Sequence, residues 1–80
     1  MNDKIHPPTL EFTAEQLATD PILRHFHHAH LPPPLRVHSQ PFCELAKRIV
    51  ETLPRNEERS VALRKLLEGK DAAVRATLWA

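Results

Sequence analysis

From Leu35 onward the chain alternates between apolar and polar residues with a helical period. Leu35, His38, Phe42, Leu45, Ala46, Ile49, Val50 and Leu53 recur at spacings of three and four, which places them on one stripe of a helix over about 34–53. Pro41 falls inside this stripe. Its ring removes one backbone donor and crowds the preceding turn, so the pattern predicts either a kink or a helix proper that begins near Ser39. A second stripe follows, made of Ala62, Leu63, Leu66, Leu67, Ala73, Val74 and Leu78, on a helix of about 57–78. Pro54 stops the first helix. Asn56 suits the N-cap of the second, and Glu57 and Glu58 place negative charge at its positive end. The link Leu53-Pro54-Arg55-Asn56 is short enough to force antiparallel neighbours.

Upstream the signals are briefer. Thr13 followed by Gln16 has the spacing of a capping box, and Asp20-Pro21 is a second helix start, leading to a short helix over about 21–28 with Ile22, Leu23 and Phe26 on one face. Residues 1–12 carry two prolines and no period. They read as an extended or disordered stretch, with Leu10 and Phe12 available to dock. Leu31-Pro32-Pro33-Pro34 reads as an extended break, because each proline pushes the residue before it out of the helical region. The expected organisation is an N-terminal arm with a short helix over 1–30, then a helical-hairpin domain for oligomerisation and ligand binding over 31–80. The fold class is all-α: an antiparallel two-helix hairpin preceded by a short helix, assembled as a homo-oligomeric bundle.

Composition sharpens the case for assembly. A core within 80 residues at 41% apolar content supplies only about 3–5 kcal/mol, and chains of this size usually add disulfides, a metal or partner subunits. Cys43 is the sole cysteine, so no disulfide forms within one chain, in keeping with a reducing compartment. No signal peptide and no membrane span are expected. Each apolar stripe is wider than a single partner helix can cover, and copies of the same chain are the simplest cover for the rest. The net charge of +1 argues against a coat for polymeric nucleic acid, while leaving room for a few arginines around a small anion.

The candidates for chemistry are few. His25-Phe26-His27-His28-Ala29-His30 is dense in imidazole and could bind zinc or nickel. No cysteine pair or carboxylate nearby completes a familiar site, so an incidental metal affinity is the simpler reading, and no metal or other cofactor is expected. Cys43, one step off the apolar stripe, reads as a half-buried structural thiol. The single glycine, Gly69, excludes a glycine-rich phosphate loop. At mid-helix it either admits a close neighbour or is neutral. No carboxylate pair stands out as acid and base, so an enzyme is not expected. The start of the second long helix offers free backbone donors beside Arg55, Arg59 and Ser60, an arrangement suited to an anion. Lys65, Lys70 and Arg75 continue a basic trail that also suits a solvated face paired with Glu57, Glu58, Glu68 and Asp71.

Three stretches together carry a family resemblance. They are Phe26-His27-His28-Ala29-His30-Leu31-Pro32-Pro33, Leu45-Ala46-Lys47-Arg48-Ile49, and the run from Leu53-Pro54-Arg55-Asn56-Glu57-Glu58-Arg59-Ser60 through Lys65-Leu66-Leu67-Glu68 to Ala72-Ala73-Val74-Arg75-Ala76. This pattern resembles the helical-hairpin domain of phage nucleotide sponges that counter the CBASS and Thoeris defences. The resemblance implies a non-catalytic protein of the host bacterial cytoplasm that assembles as a homo-oligomer, commonly a hexamer. It would sequester a cyclic nucleotide between protomers: a cyclic di- or trinucleotide or a cyclic ADP-ribose isomer. By matched position it implies nucleotide contacts from Arg59, Ser60, Arg55, Lys65 and Arg75, and from His28 and His30 by stacking or hydrogen bonding. The alternative is a small structural or adaptor oligomer with no nucleotide ligand.

Overall fold

The computed structural model describes residues 11–79. Among these the chain is all-helical, without strands. Helix α1 spans Ala14–Thr19, a 3-10 helix spans Pro21–Phe26, α2 spans Pro33–Thr52 and α3 spans Glu57–Thr77. The reading of residues 1–10, including Leu10 as a docking residue, lies outside the described part of the chain.

Local chemistry accounts for the starts and stops. Thr13 accepts from the Gln16 amide at 3.0 Å while the Gln16 side chain accepts from the Thr13 amide at 2.9 Å, the reciprocal pair that the Thr-x-x-Gln spacing calls for. The Asn56 side chain accepts from the Arg59 amide at 2.9 Å and opens α3, with Glu57 and Glu58 in its first turn. The short helix that the sequence suggests over about 21–28 is a 3-10 helix at Pro21–Phe26. A period of three brings Leu23 and Phe26 onto one edge, and both are fully buried.

Two readings of α2 need correcting. The proline break is shorter than expected: only Pro32 is extended, as the N-cap, and Pro33 and Pro34 begin the helix, where a missing amide costs nothing. The helix therefore starts well before Ser39 and continues through Pro41, which lies on the exposed side. The buried line is also rotated. Ser39, Cys43 and Ala46 point inward, with Phe42, Ile49 and Val50 beside them, whereas His38 is exposed and Leu45 and Leu53 are each 47% exposed. Cys43 is thus a fully buried thiol and not a half-buried one. Burial pushes its pKa up to about 11, with the charges of Glu11 and Glu44 adding and that of Lys47 opposing.

The rotation has a visible cause. Phe12, Leu23 and Phe26 form one cluster with Cys43, Ala46 and Leu63, so the N-terminal segment and the two long helices share a single core. Half of the fully buried apolar residues come from upstream of residue 30, and they cover the side of α2 that carries Ser39 and Cys43. Helices α2 and α3 also pack on each other. Phe42 lies beside Gly69, and Arg59 reaches back to Val50 and Leu53. An added Cβ at Gly69 would meet the Phe42 ring at 3.5 Å, an ordinary contact, so among the described residues no close approach requires a glycine there.

Candidate functional site

Five of the seven residues singled out from the sequence fall into two groups, and Lys65 and His28 belong to neither. The first lies at the start of α3. Arg59 is buried, its Nη2 2.6 Å from Asp20 Oδ2, and its Nη1 donates to the carbonyls of Leu53 at 3.3 Å and Val50 at 3.4 Å. It ties the last turn of α2, the first turn of α3 and the residue before the 3-10 helix into one junction. Arg55 donates from Nη2 to the Thr19 carbonyl at 3.4 Å. The Ser60 hydroxyl donates to the Asn56 carbonyl at 3.4 Å. The anion expected beside Arg59 thus has a counterpart within the chain, the carboxylate of Asp20. Lys65 stands apart, exposed and 3.7 Å from Glu68 one turn on.

The second group lies near the other end of α3, roughly 24 Å from Arg59 at 1.5 Å per residue. Here the chain leaving the 3-10 helix faces α3 across an open cleft of about 360 Å³. His25, His27 and His30 line one wall with Arg24, and Lys70, Asp71 and Arg75 line the other. Three permanent cations meet one carboxylate, leaving a net two positive charges before any imidazole takes a proton. Asp71 lies 2.9 Å from Lys70, whose side chain is mostly covered, so that ammonium is held in place against the cleft. His30 and Arg75 are the two sequence candidates that this cleft brings together.

Glu11 sets the histidine wall. Its Oε1 accepts a hydrogen bond from His27 Nδ1, its Oε2 accepts from the Ala29 amide at 3.3 Å, and His28 Nδ1 lies 3.5 Å from Oε2. Burial would raise the Glu11 carboxyl, but the His27 hydrogen bond, backbone donors and the His27 charge outweigh it, and the pKa is lowered. His28 is turned inward, its Nδ1 without a hydrogen-bond partner among the described residues, and it does not line the cleft. Phe12 meets His27 edge to face, with centroids 6.0 Å apart, so the core aromatic and the Glu11 carboxylate together orient that imidazole.

Of the other cleft residues, Arg24 is not singled out by the sequence, while His25 and His27 enter there only as part of a possible metal cluster and Lys70 only as part of the basic trail of α3, none of them as a nucleotide contact. A spacing signal existed for some of them. Arg24, His27 and His30 recur every three residues, and Lys70, Asp71, Val74 and Arg75 share one face of α3. What the sequence could not give was the pairing of these two segments. A second open hollow, about 330 Å³, adjoins the first through Arg24, His25 and Asp71. Arginine, lysine and imidazole groups lining one cleft are donors of the kind that suit an anion. Comparison of the chain with protein-family models, with curated proteins and with solved structures finds no match.

Proposed function

We propose that this protein is a non-catalytic sponge for a cyclic nucleotide second messenger, held in the cleft between the histidine segment and the end of α3. The observation that carries this reading is the convergence of Arg24, Lys70 and Arg75 with three histidines. A cyclic dinucleotide carries two negative charges, which matches the net charge of the cleft, and its bases offer faces on which guanidinium and imidazole groups stack. Volumes of about 360 and 330 Å³ fall at the lower end of the roughly 300–1,000 Å³ typical of small-molecule sites.

In this reading α2 and α3 act as an antiparallel hairpin within a homo-oligomer, a hexamer by resemblance to the phage sponges. The ligand, a cyclic di- or trinucleotide or a cyclic ADP-ribose isomer, sits where protomers meet. Val37, Leu45, Leu53, Val61, Leu78 and Trp79 are all large apolar residues left exposed in one protomer, and they supply surface for self-association. Trp79, 83% exposed, lies one turn beyond Arg75, at the same end of α3 as the cleft. Capture in the host bacterial cytoplasm would keep the free signal low and leave an anti-phage effector switched off.

Calorimetry of the full-length protein with a panel of cyclic di- and trinucleotides and cyclic ADP-ribose isomers tests the proposal. At least one should bind at micromolar concentration or tighter, and Lys70→Ala or Arg75→Ala should weaken it at least tenfold, as loss of a charge-assisted contact implies. Absence of binding by any of them refutes the sponge. The competing reading, a helical adaptor without a nucleotide, is favoured by the internal pairing of Arg59 with Asp20. It calls for the same oligomer by solution mass with no ligand bound.

A further inference from the structure

The second hollow differs in chemistry from the first. Ile22 and Leu67, both half-buried, border it, and Arg24, Arg64, Glu68 and Asp71 line it alongside them. Apolar contact area with both carboxylates and guanidinium groups does not suit a phosphate, because the carboxylates repel it. It suits a planar heterocycle that offers hydrogen-bond donors on one edge and acceptors on another. Glu68 and Asp71 stand three residues apart on α3 and so share a face. Both remain open to a ligand: Glu68 is 61% and Asp71 45% exposed at the side chain, and each contacts one lysine. A carboxylate has about four lone-pair positions, so one lysine contact leaves acceptor capacity free.

Resting on the sponge reading, we infer that this hollow holds the base of the bound nucleotide and selects guanine. Guanine alone among the common bases presents two adjacent donors, N1–H and the N2 amine, that a carboxylate accepts together. Its O6 and N7 are paired acceptors that an arginine fork fills. Adenine places the lone pair of N1 against a carboxylate and its N6 amine against a guanidinium. Uracil flanks its single N–H with two carbonyls. The shared wall formed by Arg24, His25 and Asp71 places the base hollow directly beside the phosphate cleft, as the covalent linkage of base, sugar and phosphate requires.

The test is calorimetry of the full-length protein with three cyclic dinucleotides, carrying two guanines, two adenines or two uracils. The guanine ligand should bind roughly tenfold or more tightly than the others, the lower range for one well-placed bidentate contact. Glu68→Gln swaps an acceptor for an amine facing guanine N1–H. It should weaken the guanine ligand at least tenfold and so erase its preference, and the exposed position of Glu68 keeps the fold intact, checked by circular dichroism. Equal affinity for the three ligands, or a guanine preference that survives Glu68→Gln, overturns the base assignment and leaves the sponge standing. Failure of all three to bind, together with failure of the wider panel, removes both.

Discussion

Replacing Arg59 separates its structural role from a ligand role. Its guanidinium is buried, its partner Asp20 is 11% exposed at the side chain, and the pair is 2.6 Å apart. Two of the carbonyls it bonds, those of Val50 and Leu53, belong to the end of α2, where helix geometry leaves acceptors without partners. Arg59→Ala strands the Asp20 carboxylate in a poorly hydrated place and frees both carbonyls. Removing one member of a buried pair costs about 3–5 kcal/mol. A single-core domain of this size has only about 3–5 kcal/mol to lose. The expected outcome is a chain with little cooperative unfolding left at 25 °C, followed by urea denaturation read through helical circular dichroism. Arg59→Met combined with Asp20→Leu keeps the packing and removes both charges, so it should recover most of the loss. If Arg59→Ala lowers the unfolding free energy by less than about 1 kcal/mol, the junction is not a buried ion pair in solution and the argument fails.

Two further outcomes follow from contacts elsewhere. The lowered pKa of Glu11 means that its contribution to stability is fully present above its ordinary value of 4.5 and is lost as pH falls through the lower, folded-state value. Acid titration of the wild type should therefore show a loss of stability below pH 4.5 that is smaller in Glu11→Gln. An identical acid limb in both would exclude Glu11 as the source. Gly69→Ala introduces a methyl group in ordinary contact with the Phe42 ring, at a mid-helix position where alanine is favoured by about 0.5–1 kcal/mol. The melting temperature should rise, and a fall would show that something outside the protomer occupies that space.

Features governed by neighbours in sequence were legible before the structure. The Thr13–Gln16 box, the Asn56 cap and the bounds of both long helices rest on contacts three or four residues apart, and they appear within a residue or two of where the pattern puts them. What escaped depends on pairing across the chain. Asp20 and Arg59 are 39 residues apart, and nothing local to Arg59 marks its partner, so a helix start rich in cations resembles an open anion site. The inward line of α2 lies about one position from the stripe that periodicity predicts, because the small side chains of Ser39 and Cys43 carry little apolar signal and Leu45 carries much. Which of them is buried is decided by where Phe12, Leu23 and Phe26 land. The sequence offers His30 and Arg75 only as separate candidates. Their convergence, with Arg24 and Lys70, arises from that same docking of the early segment across α3.

The shared core also fixes an order of events during synthesis. Phe12, Leu23 and Phe26 leave the ribosome first, yet their common neighbour Leu63 is made some 37 residues after Phe26. At roughly 5–20 residues per second that gap lasts about 2–7 s, far longer than helix formation or collapse requires. For that interval the two phenylalanines and the leucine have only the Cys43 and Ala46 side of α2 to pack on, and the core lacks its α3 wall. The core is complete only when α3 closes over α2 and Leu63, its last member, arrives.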